Sequence, residues 1–496
     1  MRQIPSALLA TTALAATLAV PALNAAAPRP SGTARHGDSR PAASPPPDTR
    51  ERTDAPTPRP TGTKPGTKPG TTARETSSAP PPHSPTGPPT RSPRAPSAAF
   101  PSGPCALPGA TTGVSEAAAT PRGFTRATGR VRALTVLVDF PDVRAGISPR
   151  ARYGEFFPAV PRFFRQSSYG TLDYRSTPVL KWIRMSRPLA SYDIGRGTSF
   201  NPASNNGYYA VAKEIVRAVD RDVDFRAYDL VNVLVTPNAG PPATENVWSV
   251  TFSGGPLGLR TGDGTQLRNV SFIWSRQTGP SAYRVLNHEN AHSFGLPDLY
   301  FTDGRADPHP VGHWDPMDVD WGPENDFLGW HKWKLGWLAP DQVDCVRHPG
   351  TVTTHRLTPA SVPGGTKIVV IPVSRYRAYV VEARRTGPLD PTACRPGVLI
   401  YRVTTDTPSG RGPVRVSDAT PKSAGCYRKD PNVRAGLTDA TYRPGQTFHA
   451  DGLTLSVLRN PPPDAPPSNT SNASDTSHTS DASDTFRVRI TTPKRH

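Results

Sequence analysis

Tyr283-Arg-Val-Leu-Asn-His-Glu-Asn-Ala-His-Ser-Phe-Gly-Leu-Pro-Asp-Leu-Tyr300 is the stretch around which the rest of the chain is organised. His288 and His292 stand four residues apart, so on a helix they lie one turn above each other on one face. Glu289 follows the first of them. In this His-Glu-x-x-His spacing two imidazoles can hold Zn²⁺ while the glutamate takes a proton from the metal-bound water, whose pKa the ion lowers to about 7. Gly295 supplies the backbone freedom that turns a chain off a helix. Asp298 then arrives where a third ligand is needed; a related pattern places a histidine there, and a carboxylate also suits zinc. A buried helix with two merely hydrogen-bonded histidines would call for neither that glycine nor that acid. Nor would it call for the Met-containing turn downstream, Trp314-Asp-Pro-Met-Asp318.

Immediately after this stretch the charge balance reverses. Between Asp298 and Asp326 stand eight acids (Asp298, Asp303, Asp307, Asp315, Asp318, Asp320, Glu324 and Asp326) against the single basic residue Arg305. The whole chain carries a formal net charge of +18, so a local acidic excess calls for a reason. Beyond Asp298, these acids can hold a structural Ca²⁺ in a flexible loop, or form a solvated rim that attracts basic substrates.

The stretch His288-Glu289-x-x-His292-x-x-Gly295-Leu-Pro-Asp298-Leu-Tyr300 resembles the active-site segment of the immune inhibitor A-type secreted bacterial metalloendopeptidases. Ala133-Leu-Thr-Val-Leu-Val-Asp-Phe-Pro141, Gln166-Ser-Ser-Tyr-Gly170 and Trp330-His-Lys-Trp-Lys-Leu-Gly-Trp337 resemble the same family. The likeness runs from about residue 131 to 340, with a weaker echo beyond. It implies a metzincin-like fold with Asp298 as third zinc ligand. Met317 resembles the methionine that forms an apolar floor beneath the histidines in such folds, since a thioether is a poor Zn²⁺ ligand beside imidazole and carboxylate. Two departures stand out. No tyrosine lies two residues after Met317, so no tyrosine is assigned to the transition state. His331 occupies a place where a small residue is expected.

The 496 residues include 61 prolines and 41 glycines, and the proline excess is concentrated toward the ends. Residues 1–27 have the form of a signal peptide: Arg2, an apolar core from Ala7 to Val20, and Asn24-Ala-Ala-Ala27 as the cleavage zone. That core is too short to span a membrane, and no other segment reaches about 18 apolar residues. Residues 28–104, rich in Pro, Thr and Ser, hold too few large apolar residues to offset ordering entropy and are expected to be a disordered arm: a cell-wall spacer, a propeptide remnant or merely a leader. The excess of Lys and Arg is spread without a basic helix or recognisable module, so nucleic acid is not expected as a partner.

Four cysteines, Cys105, Cys345, Cys394 and Cys426, suit two disulfides in an exported chain, with three connectivities open. Bridges among Cys345, Cys394 and Cys426 are expected to staple the C-terminal part. The alternative use of Cys105 is a thiolate that caps the zinc of a latent precursor.

The catalytic domain is assigned to residues 105–342. Val131–Phe140 is a nearly continuous apolar run, the pattern of a buried strand, and Asp229–Thr236 is another. Asn206–Asp220 is an amphipathic helix with Val211, Ile215 and Val219 on one face. Val247–Phe252 and Leu267–Trp274 form strands joined by a Gly-rich hairpin loop, and Pro323–Leu335 is expected to be a helix carrying Phe327, Trp330 and Trp333 into the core. Strands and helices alternate, so an α/β (α+β) sheet domain covered by helices is expected. Residues 343–496 are expected to be a smaller all-β domain, with strands at 367–372, 377–383, 397–403, 453–458 and 486–491 and a flexible Ser/Asp-rich tract at 460–484 that includes Asn469 and Asn472.

These features predict a secreted zinc endopeptidase acting on proteins or peptides. His288, His292 and Asp298 are the expected ligands and Glu289 the general base. One alternative is a non-catalytic surface or matrix-binding protein built on a protease-like fold. Another is a gluzincin-like zinc site completed by Glu324, or by another acid beyond the helix, in place of Asp298.

Overall fold

The computed structural model describes residues 100–109, 113–118, 120–240, 247–274, 281–323, 325–459 and 485–494. The expected signal peptide, nearly all of the Pro-rich arm, Glu324 and the 460–484 tract with Asn469 and Asn472 lie outside the described residues.

The first part of the fold is a five-stranded sheet with helices on both faces. It is built from β1 (Gly129–Asp139), α1 (Pro149–Gly154), α2 (Ala159–Ser167), β2 (Leu172–Arg184), α3 (Gly207–Val219), β3 (Leu230–Val235), β4 (Val250–Phe252), β5 (Val270–Ile273) and α4 (Tyr283–Ser293). The strand order is β2-β1-β3-β5-β4. All neighbours run parallel except β4, which pairs antiparallel with β5 at one edge. Parallel strands are covered on both faces, so they carry nearly continuous apolar runs rather than alternation. In β1, Val131, Ala133 and Leu137 join the core beneath α2 and α4, while Leu134, Val136 and Val138 join the core beneath α3.

Then follow α5 (Gly329–Lys334), β6 (Val343–Cys345), β7 (Val352–Leu357), β8 (Ile368–Ser374), β9 (Arg377–Arg384), β10 (Gly397–Thr404), β11 (Val414–Val416), β12 (Thr447–Ala450), β13 (Leu453–Leu458) and β14 (Phe486–Thr491). They form two further sheets, ordered β11-β10-β9-β8-β6 and β12-β13-β14-β7. The middle sheet is buried on both sides. Ile368, Val370, Val380, Leu399 and Tyr401 face the helical layer, while Val369, Ile371, Val381, Val398 and Ile400 pack against the last sheet. Mixed α/β architecture rich in sheet therefore gives way to β structure, and one apolar core continues across residue 342.

The expected helix over Pro323–Leu335 is shorter than the sequence suggests: α5 begins only at Gly329. Buried carboxylates bind the amides that an earlier start would place in its first turns. Phe327 N donates to its neighbour Asp326 (2.9 Å), Leu328 N to Asp315 (2.7 Å) and Gly329 N to Glu382 (2.6 Å).

The bridges are Cys105–Cys345 and Cys394–Cys426. Cys345 therefore pairs with the segment preceding β1 rather than within the C-terminal strands, and the Cys105 sulfur is in a bond, not free to cap a metal. Two disulfides are the covalent pattern of an oxidising compartment. No helix among the described residues is long and apolar enough to cross a membrane.

Candidate metal centre

Helix α4 crosses the sheet beneath a fixed set of polar contacts. Asn290, one of the unspecified positions of the motif, is fully buried. Its amide donates to Asn232 Oδ1 (2.9 Å) and Ser271 Oγ (3.2 Å), and its carbonyl oxygen accepts from Tyr174 Oη (2.7 Å). Asn232 in turn donates to Tyr174 Oη (2.9 Å) and Thr135 Oγ1 (3.2 Å), so the network spans four strands. Buried polar groups that are satisfied in this way fix one register of helix on sheet.

The helix ends in a Schellman arrangement. Leu296 N donates to Ala291 O (3.1 Å) and Gly295 N to His292 O (2.9 Å), with Gly295 at φ +90°. A side chain there is excluded twice, by that φ and because a Cβ would lie 2.5 Å from Thr120 Cγ2. Gly295→Ala is accordingly expected to cost about 1–3 kcal/mol, seen as a lower melting temperature; a variant as stable as the parent would contradict it.

Beyond this turn the four residues singled out in the sequence come together. His288 Nε2 and His292 Nε2 each stand 3.2 Å from Asp298 Oδ1. The far nitrogen of each ring is bound to backbone: His288 Nδ1 donates to Pro316 O (2.9 Å) and His292 Nδ1 to Leu296 O (2.8 Å). With Nδ1 of each ring donating to a carbonyl, the neutral form of either ring would turn a bare Nε2 lone pair toward the same point. Asp298 Oδ1, buried and with no hydrogen-bond donor, completes the set. Two imidazole nitrogens and one carboxylate oxygen fit Zn²⁺, whose catalytic sites take three protein ligands and leave a position open. Among the described residues this is the one group of His, Cys, Asp or Glu side chains close enough to share an ion.

The electrostatics favour positive charge here. Burial works against protonation of His288, yet Asp298, Asp320 and Glu289 outweigh it and raise its pKa to about 10. His292 is raised as well, burial again being overcome, chiefly by Asp298. Burial likewise opposes ionisation of Asp298, but the two histidines hold its carboxyl well below the usual range. Glu289 is pushed up by burial, with the histidines acting in the other direction. Its Oε2 lies 2.8 Å from Thr251 Oγ1 on the edge strand β4.

Met317 is fully buried, and its carbonyl accepts from Leu299 N (3.0 Å). The preceding carbonyl, on Pro316, is the one that orients His288. Asp315 shapes this turn by accepting from Met317 N (2.8 Å) and from Leu328 N (2.7 Å). His331, the unexpected residue in the sequence, here binds Asp315 Oδ2 through Nδ1 (2.7 Å) and Glu116 Oε1 through Nε2 (2.9 Å), all three side chains being inaccessible.

Among the described residues the acids of this run do not gather into one cage. Asp303 pairs with Arg305, Asp307 with Arg434 and Asp326 with Lys332, while Asp318 accepts from Val311 N, Gly312 N and His309. Beside the centre is a cavity of about 300 Å³ walled by Trp248, Trp274, Val285, Phe301 and Trp321, with His288 and Glu289 on its floor. Thr251, Glu116, Trp248 and Trp321 stand outside the motif and act through contacts distant in the chain, and Asn290 fills a position that the motif leaves unspecified, so the sequence does not single them out.

No protein-family model matches this chain, and no curated protein matches it either.

Proposed function

We propose that the protein is a metal-dependent hydrolase. Within that class, we read it as a secreted zinc endopeptidase of metzincin-like fold, similar to the immune inhibitor A-type enzymes. The observation that carries this reading is the convergence of His288 Nε2, His292 Nε2 and Asp298 Oδ1, with both Nδ1 atoms already committed to carbonyls. Zn²⁺ held by these three would supply Lewis acidity and a more acidic water.

The chain's own residues then have distinct tasks. Glu289 accepts the proton of the attacking water at its carboxylate and returns it to the leaving amine, as general base and then general acid. Thr251 holds the Oε2 side of that carboxylate at 2.8 Å. Among the described residues strand β4 has β5 on one side and no strand on the other, so an extended peptide can add to that edge through main-chain hydrogen bonds, next to Glu289. The aromatic cavity beside His288 offers room for one large side chain of such a peptide.

Export fits the two disulfides and the leader-like sequence of residues 1–27. The Pro-rich arm would then serve as a spacer toward the cell wall. A chelator of zinc should arrest casein hydrolysis by the purified protein, and added Zn²⁺ should restore it. His292→Ala should lose both bound zinc and activity. Hydrolysis that survives chelation and this substitution would end the proposal.

A further inference from the structure

We propose that Ser409, which reaches the centre from the turn between β10 and β11, is a positioning residue that decides which oxygen of Asp298 faces the metal. This rests on the reading of His288, His292 and Asp298 as a metal centre. Ser409 Oγ lies 2.9 Å from the Asp298 amide nitrogen and 3.0 Å from Asp298 Oδ2. A hydroxyl has one proton and two lone pairs. The amide therefore donates to Oγ, and the Oγ proton goes on to Oδ2. That leaves Oδ1 as the oxygen without a donor, 3.2 Å from each histidine Nε2.

The turn that carries Ser409 is itself fastened along the ligand segment. Gly410 N donates to Asp298 O (3.1 Å), Thr302 N donates to Gly410 O (3.0 Å), and Phe301 and Arg411 form an isolated bridge. Gly412 packs so closely on Phe301 that a Cβ would lie 2.2 Å from its ring. A serine that merely closed its own turn would bond to its own hairpin. Both of these Ser409 bonds go instead to one residue 111 positions away, the candidate third ligand. The two histidines are held by backbone carbonyls, whereas Asp298 is held by a side chain that can be removed singly.

Partners that orient a metal ligand are worth about 10–100-fold in metal affinity. In the full-length chain, S409A should weaken Zn²⁺ binding by about that factor, measured by competition with a chromophoric chelator. It should also shift the visible absorption bands of the Co²⁺-substituted protein, as the carboxylate is freed to swing. S409T, which keeps the hydroxyl, should retain wild-type affinity and spectrum, and the metal-free S409A protein should melt with the wild type. S409A that binds Zn²⁺ as tightly as the wild type with an unchanged Co²⁺ spectrum overturns the assignment. So does a loss of affinity accompanied by an equal collapse of the metal-free protein, which would mark a structural role alone. A wild-type chain that takes up neither ion removes the metal centre itself, and the wild-type arm separates that failure from failure of Ser409.

Discussion

Glu289→Gln is expected to lower casein hydrolysis by roughly 10²- to 10⁴-fold, the contribution typical of a positioned general base, while zinc content stays at that of the parent protein. Glutamine matches the size of the side chain and keeps an oxygen for Thr251 Oγ1, which stands 2.8 Å from Glu289 Oε2. It has no carboxylate to take a proton. The ligand atoms on His288, His292 and Asp298 are untouched, because their supports come from Pro316, Leu296 and Ser409. Rate and metal content measured on the same sample separate loss of chemistry from loss of the ion. A Glu289→Gln protein that cuts casein at the parental rate would show that another group moves the proton.

The second large effect is on stability, and it falls on His331. Its imidazole is wholly buried between Asp315 and Glu116. Burial alone would push its pKa down, but the two carboxylates overcome this and raise it to about 10. Removing one member of a buried charged group costs about 3–5 kcal/mol, because the others are left without compensation. His331→Leu would leave two buried acids facing an apolar side chain, and its melting temperature should fall by on the order of 10 °C.

The sign of the pH dependence follows from the direction of the shift. The folded value near 10 lies above the ordinary 6.5. The stabilisation is therefore complete below the ordinary value and is lost as pH rises through the folded one. The parent protein should lose stability between neutrality and about pH 10, and His331→Leu should lack this part of the slope. Parallel melting curves for the two proteins across that range would refute the assignment.

The parts of this protein that were legible in the sequence are those whose chemistry is local. The His288–His292 spacing is a helical repeat, Gly295 is an immediate helix stop, and Asp298 follows within one turn, so order along the chain and order in space coincide. Buried strands such as β1 and β3 are equally plain, because coverage on both faces makes them nearly continuous apolar runs. Contacts between distant segments left no such trace. Glu116 meets His331 across 215 residues, and Ser409 meets Asp298 across 111. Each, taken alone, is an ordinary polar residue. The start of α5 is hidden for a related reason: Asp315 and Glu382, distant in sequence, bind the amides of Leu328 and Gly329. Strand β7, Val-Thr-Thr-His-Arg-Leu, carries no apolar pattern because only its last residue is buried.

The disulfides also give the molecule a topology beyond its fold. Cys105–Cys345 makes everything between these residues a covalent ring, and that ring holds α4, Asp298, the Met317 turn, Glu116 and His331. Cys394–Cys426 closes a second, smaller ring, and Ser409 sits within it. The hydrogen bond between Ser409 and Asp298 is thus a joint between two closed loops. One backbone nick in either loop releases no fragment, and both sides of the joint stay tethered to the same molecule. A chain closed in this way can be clipped once in either loop without being divided.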